Sequence, residues 1–183
     1  MLTIYVEPME FYNETTGEFV VTKGQTLTLE HSLLSVSKWE SKWHEPFLSR
    51  DVSGFTNEKI LDYIKCMTIT TNVDSSVYAA LSSNRKYAEI IKNYIQDPHT
   101  ATTINNRKKG GSREIITSEL IYYWMIELGI PFSCEKWNLN RLMMLINVCS
   151  IKQTPSKKMS KADAFSQQRS LNAMRKAKLG SRG

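Results

Sequence analysis

Hydrophobic and polar positions alternate near the start of the chain and then change period. Leu2, Ile4 and Val6 alternate with Thr3 and Tyr5 before Pro8 ends the run, which predicts a strand. Thr15, Thr16 and Gly17 form a turn cluster. Phe19, Val20, Val21 and Thr22 make a second β-prone run, closed by Lys23 and Gly24, and residues 26–29 extend it as a third short strand. Residues 1–29 therefore predict a small antiparallel hairpin or meander.

The period then becomes about 3.6. Leu29, Leu33, Val36, Trp39 or Glu40, and Trp43 fall on one helical face, and Pro46 forces an end, predicting a helix over about 30–43. Thr56 followed by Glu58 and Lys59 predicts a helix start, with Ile60, Leu61, Ile64 and Met67 apolar and the β-branched run 68–71 stopping it. Asp74 predicts a cap for a short helix through Leu81, and Asn84 a cap for another through Ile95. After Asp97 and Pro98 the pattern is polar to Arg113, without apolar periodicity. A helix predicted over 113–127 is apolar almost all round, with Ile116, Leu120, Tyr123, Trp124 and Glu127 on successive turns, and is expected centrally in the core. Gly129 and Pro131 end it. A partner helix over 135–151 then gives an antiparallel helical hairpin. Thr154, Pro155 and Ser156 mark a linker before a basic, weakly amphipathic helix at about 160–178, and no internal repeat is visible.

The predicted class is α+β: a mostly helical domain (30–151) with the small N-terminal antiparallel β element (1–29) and a basic, helical or disordered C-terminal tail (152–183). Charge sharpens that division. Residues 1–151 carry 15 basic and 17 acidic side chains, net −2, whereas 152–183 carry nine basic residues against Asp163, net +8. Lys157, Lys158, Lys161, Arg169, Arg175, Lys176, Lys178 and Arg182 make this tail an electrostatic element. It attracts phosphate backbones, acidic proteins and anionic lipid alike, and a solubilising role is equally consistent with it.

Of 183 residues, 41% are hydrophobic and 10% aromatic, which excludes a disordered or collagen-like chain. The apolar stretch at 120–126 is far short of the roughly 18 residues a membrane span needs, and the first residues do not read as a signal peptide. A soluble, intracellular protein is expected. Cys66, Cys134 and Cys149 are odd in number and set among apolar residues, so each reads as a small buried hydrophobe. His31, His44 and His99 are too dispersed for a zinc site, so no metal or cofactor is expected.

Candidate chemistry is sparse. There is no Gly-x-Ser-x-Gly elbow and no local Cys–His signature. Glu58 and Asp62, four apart, read as a solvated helix face. Arg107, Lys108, Lys109, Gly110, Gly111 and Arg113 lack Walker spacing and read as a surface loop rather than a phosphate cradle. Asn13, Glu14 and Thr15 fit a glycosylation acceptor, which without a secretory signal has no bearing. Trp39, Trp43, Tyr122, Tyr123, Trp124 and Trp137 sit at helical spacing amid Leu and Ile, as core aromatics do, with Met143 and Met144 as gap-fillers. The 113–151 hairpin carries more apolar surface than one layer of neighbours covers, and such a surplus marks a partner groove.

Three segments carry a family resemblance. They are His31-Ser-Leu-Leu-Ser-Val-Ser-Lys-Trp39-Glu-Ser-Lys-Trp43 with Pro46-Phe47-Leu48, Glu119-Leu-Ile-Tyr-Tyr-Trp-Met-Ile126 with Ile130-Pro131-Phe132, and Trp137-Asn-Leu-Asn-Arg141-Leu142. Pro155-Ser-Lys-Lys-Met-Ser160 and the terminal Gly180-Ser-Arg-Gly183 extend the third. The chain resembles the tail assembly chaperones of tailed bacteriophages over nearly its whole length, residues 97–113 least. The resemblance implies a non-enzymatic protein of the host cell cytoplasm. It would hold the long, helical tape-measure protein soluble while tail-tube subunits polymerise around it, and it would often be made in a second length by frameshifting. Trp39, Trp43, Tyr123, Trp124, Trp137 and Arg141 become candidates for a helix-binding face, although core packing remains the reading their spacing favours for most of them. Self-association is a further expectation. The alternative is a nucleic-acid-binding or structural virion protein of the tail or neck, acting through the basic tail.

Overall fold

A computed structural model describes residues 1–13, 17–21, 23–48, 55–104, 115–153 and 161–180. It is α+β and mostly helical, as the change of period predicts. The Thr15–Thr16 turn, the 105–113 loop and the 154–156 linker lie outside the described residues, as do Lys157, Lys158 and Arg182.

Four strands form two antiparallel pairs rather than one meander. β1 (Leu2–Val6) pairs with β4 (Gln25–Leu29), and between them β2 (Glu10–Asn13) pairs with β3 (Glu18–Val21). The alternation read from the sequence buries Ile4, Val6, Leu27 and Leu29 on one face. The other edge of β4 is also occupied: Ile69 N–H donates to Thr28 O at 2.8 Å and Glu30 N–H to Met67 O at 2.9 Å. The β-branched run after the second helix thus ends that helix and adds to the sheet.

Helices follow in chain order: α1 (Leu33–Trp43), α2 (Asn57–Met67), α3 (Ser75–Ser83), α4 (Arg85–Gln96), α5 (Ser118–Glu127), α6 (Leu139–Gln153) and α7 (Lys161–Leu179). A 3-10 helix, Phe132–Lys136, lies between α5 and α6. The predicted caps are in place: Thr56, Asp74 and Asn84 accept backbone N–H bonds from Lys59, Ser76 and Lys86. Ser32 caps α1 in a reciprocal box with Ser35, so this helix starts at 33. α5 begins at Ser118, not 113, because Thr117 is extended and its hydroxyl accepts from Leu120 N–H. α6 starts at Leu139, not 135, and Asn138 accepts from Asn140 N–H at its start.

One core joins β1, β4 and helices α1–α6. Trp39 lies at its centre, fully buried, with ring centroids 5.2 Å from Phe47 and 4.9 Å from Phe55. Phe47 stacks on Tyr63 at 4.1 Å. Each such side chain contributes about 1.5–3 kcal/mol by leaving water. The β element therefore belongs to the same compact unit as the helices, Met1–Ser150, while Ile151–Gly183 forms a second.

The central burial expected of α5 holds for one face only. Ile121 and Met125 are buried, but Tyr123 and Ile126 are 55% and 63% exposed. Residues 135–136, expected to open the partner helix, belong instead to the 3-10 helix, while α5 packs against α1 and lines a cleft together with α6. Two buried carboxylates organise these junctions. Glu40 accepts from Phe47 N–H at 2.8 Å and from Ser118 N–H at 2.7 Å. Glu30 accepts from Tyr94 Oη at 2.6 Å and Asn138 Nδ2 at 3.5 Å, with the Met1 amino group 2.8 Å away.

Candidate functional site: a groove between three helices

The cleft lies where the end of α4 faces α5 and α6 and measures about 790 Å³. α5 supplies Trp124, Glu127 and Leu128; α6 supplies Met143, Met144, Ile146 and Asn147 at helical spacing; Ile95, Gln96, Pro98 and Thr100 close the third side. Trp124, Leu128, Met143, Met144 and Ile95 are half-buried, so the groove presents an apolar floor that its own walls leave uncovered. Methionines are unbranched and polarisable, so a groove with two of them adapts to the shape of an apolar guest.

Local chemistry fixes the walls. Asn140 donates both amide hydrogens, to Ile95 O at 2.8 Å and Asp97 O at 2.7 Å, and so ties α6 to the carbonyl end of α4. His99 takes a left-handed backbone (φ 50°), its N–H donates to Asp97 Oδ1 at 2.8 Å, and its ring packs on Tyr94 at 4.8 Å. Tyr94 in turn bonds Glu30, and burial followed by that carboxylate pushes its phenol pKa up. At the start of α6, Leu139 N–H donates to His31 O at 2.7 Å.

Among the described lining residues Glu127 is the one ionisable group. No group of three His, Cys, Asp or Glu that could hold a metal occurs among the described residues. The buried titratable pair, His31 and Tyr63, is hydrogen-bonded internally. Burial lowers the His31 pKa to about 4 despite the opposing pull of Glu30, and burial raises that of Tyr63. The apolar part of the lining, Trp124, Leu128, Met143 and Met144, lies beside polar Gln96, Thr100, Asn140 and Asn147.

The six aromatic and arginine candidates do not share one face. Trp39 is removed from any binding surface by its burial, and its indole N–H donates to Lys59 O at 3.0 Å. Trp43 is half-buried and donates to Asp62 Oδ2 at 2.9 Å, with Lys42 and Lys59 nitrogens 5.5 and 5.1 Å from its ring. Asp62 therefore belongs to a network with α1 rather than to a solvated pair with Glu58. Burial opposes ionisation of Asp62, but the bonds from Lys42 and Trp43 outweigh it and lower its pKa. Tyr123 shares an exposed face with Ile126, Trp137 stacks under the Arg141 guanidinium at 4.5 Å, and Trp124 alone of the six lines the groove.

Ile95, Asn140, Met143 and Met144 are site residues that periodicity did not single out. Paired methionines on a helix that follows an aromatic one are the signal that could have marked them. Of the cysteines, Cys134 is buried while Cys66 and Cys149 are half-buried. In the second unit, α7 carries Arg169, Arg175, Lys176 and Lys178, with Lys161 at its first position. No described helix is long and apolar enough to cross a membrane.

Compared with known protein families, curated proteins and solved structures, the chain matches none.

Proposed function

We propose that this chain is a non-enzymatic assembly chaperone of a bacteriophage tail, acting in the host cytoplasm. Its groove holds an apolar helix of the tape-measure protein until tail-tube subunits enclose it. The observation that carries this reading is the uncovered apolar floor of Trp124, Leu128, Met143 and Met144, framed by three helices. An amphipathic helix docks into such a trough through side chains one turn apart. The sequence resemblance supplies the partner's identity, and the exposed Tyr123 and Ile126 on α5 add apolar surface next to the groove-lining Trp124 in sequence.

The test is co-expression with a tape-measure fragment, followed by a high-salt wash, nuclease treatment and size-exclusion chromatography. High salt screens tail charge and leaves apolar contacts. The fragment's soluble yield should rise and the two should co-elute. A Met144→Glu chain, with a charge set in the floor, should lose the complex. An unchanged yield with no complex refutes the reading.

A second reading rests on α7, where five basic residues face one acid, Asp163, within Lys161–Leu179. It makes the protein a nucleic-acid-binding or structural virion component. It requires binding whose log affinity falls with log salt by about 0.9 per phosphate contacted, and which is lost on removing 152–183. Mass spectrometry of finished particles separates the two, since a chaperone leaves before completion.

A further inference from the structure

On another flank of α4 lies a second cavity, of about 490 Å³, between α4 and α2. Phe47, Phe55 and Tyr63 form a continuous aromatic wall, with centroids 5.6 Å and 4.1 Å apart from ring to ring, and Ile64 and Ile91 line the interior. All five are buried. The mouth is formed by exposed residues: Ile60 on α2, and Ala88, Lys92 and Gln96 at four-residue spacing on α4. Lys92 makes no ion pair with any described residue, and it is the one charged group among the described lining residues.

We infer that this cavity is a binding site for a free long-chain carboxylate, its hydrocarbon against the aromatic wall and its head group on Lys92. Three properties argue for this ligand class. An apolar void is poor in partners for water, so it gains most from an apolar guest. The volume falls inside the roughly 300–1,000 Å³ of ordinary small-ligand sites. Lys92, the one cation among the described lining residues, stands beside the Gln96 amide and complements a single anionic head. This site is distinct from the groove proposed for the helix, although Ile95 and Gln96 line both.

The experiment is calorimetric titration of the full chain with palmitate below its micelle concentration, paired with thermal unfolding. Wild type should bind one equivalent saturably and unfold at a higher temperature with ligand. Ala88→Trp, which fills the mouth from an exposed helix position, should abolish binding and unfold like wild type without ligand. Lys92→Glu should weaken binding by about tenfold, the loss of a charge-assisted contact. No saturable binding, or equal binding by Ala88→Trp, overturns the proposal. Phosphatidylglycerol vesicles present similar chemistry in a bilayer; co-sedimentation abolished by Ala88→Trp would overturn the free ligand in favour of lipid. An amphipathic helical peptide that binds wild type but not Ala88→Trp, where palmitate fails, would assign the cavity to a helix instead.

Discussion

Glu40 and Ser118, 78 residues apart, meet at 2.7 Å, with the Ser118 backbone N–H donating to the Glu40 carboxylate at the first turn of α5. The other carboxylate oxygen takes Phe47 N–H at 2.8 Å. A negative group at a helix N-terminus satisfies donors that the helix itself leaves unpaired and complements its dipole. One buried side chain thus joins α1, the turn after it and α5.

Glu40→Ala is therefore expected to cost about 3–5 kcal/mol, because two buried N–H donors lose a charged acceptor. Urea unfolding measures it directly. Glu40→Gln keeps an acceptor for one donor but turns an NH₂ toward the other, so it should fall between Ala and wild type. A Glu40→Ala chain within half a kcal/mol of wild type would show that the junction is held otherwise.

His31 gives the fold an acid limit. Its pKa is near 4 in the folded chain and about 6.5 when unfolded, so the folded state disfavours the protonated ring. Stability from this group is complete above pH 6.5 and declines as pH falls toward 4, by about 3 kcal/mol in all. Asp62, whose pKa is lowered on folding, adds a further loss at more acid pH. His31→Gln should flatten the curve between pH 6.5 and 4 while lowering stability at pH 7. An unchanged slope would mean the imidazole is not kept neutral.

Trp39 and Trp124 should behave oppositely when truncated. Trp39→Ala empties the centre of the core and is expected to cost about 3–5 kcal/mol, enough to leave little folded protein. Trp124→Ala removes a half-buried groove wall and should cost less stability while lowering partner affinity several-fold. Thermal unfolding beside the co-elution assay distinguishes them. Equal losses of stability would place Trp124 in the core.

Asn140→Ala leaves the carbonyls of Ile95 and Asp97 without their amide donors. The expected cost is about 1–2 kcal/mol, concentrated at the end of α4. Hydrogen exchange should speed in the last turn of that helix and not in α1. Uniform acceleration would point to global destabilisation instead.

The elements were legible where periodicity and caps agree. Thr56, Asp74 and Asn84 announce α2, α3 and α4 because their side chains bond backbone two or three residues on, a purely local relation. Ile116 misled the start of α5, since an apolar residue before Thr117 continues the helical pattern while Thr117 itself is extended. The β1–β4 pairing, the Glu40 and Glu30 junctions and the Asn140 cap were not legible, because each joins positions far apart in the chain. The groove itself followed only as a surplus of apolar surface. Its lining by Met143 and Met144 depends on how α6 is aimed by Asn138 and Asn140.

The bond from Leu139 N–H to His31 O, with the adjoining bridge between Ser32 and Asn138, sets an order of events during synthesis. The strands and α1 leave the ribosome first, yet their buried polar backbone at 31–32 stays open until more than a hundred further residues have followed. Loop closure over that span is slow compared with local helix formation. The nascent chain must therefore hold this buried backbone unpaired until the start of α6 emerges, and this interval is when it is most prone to aggregate.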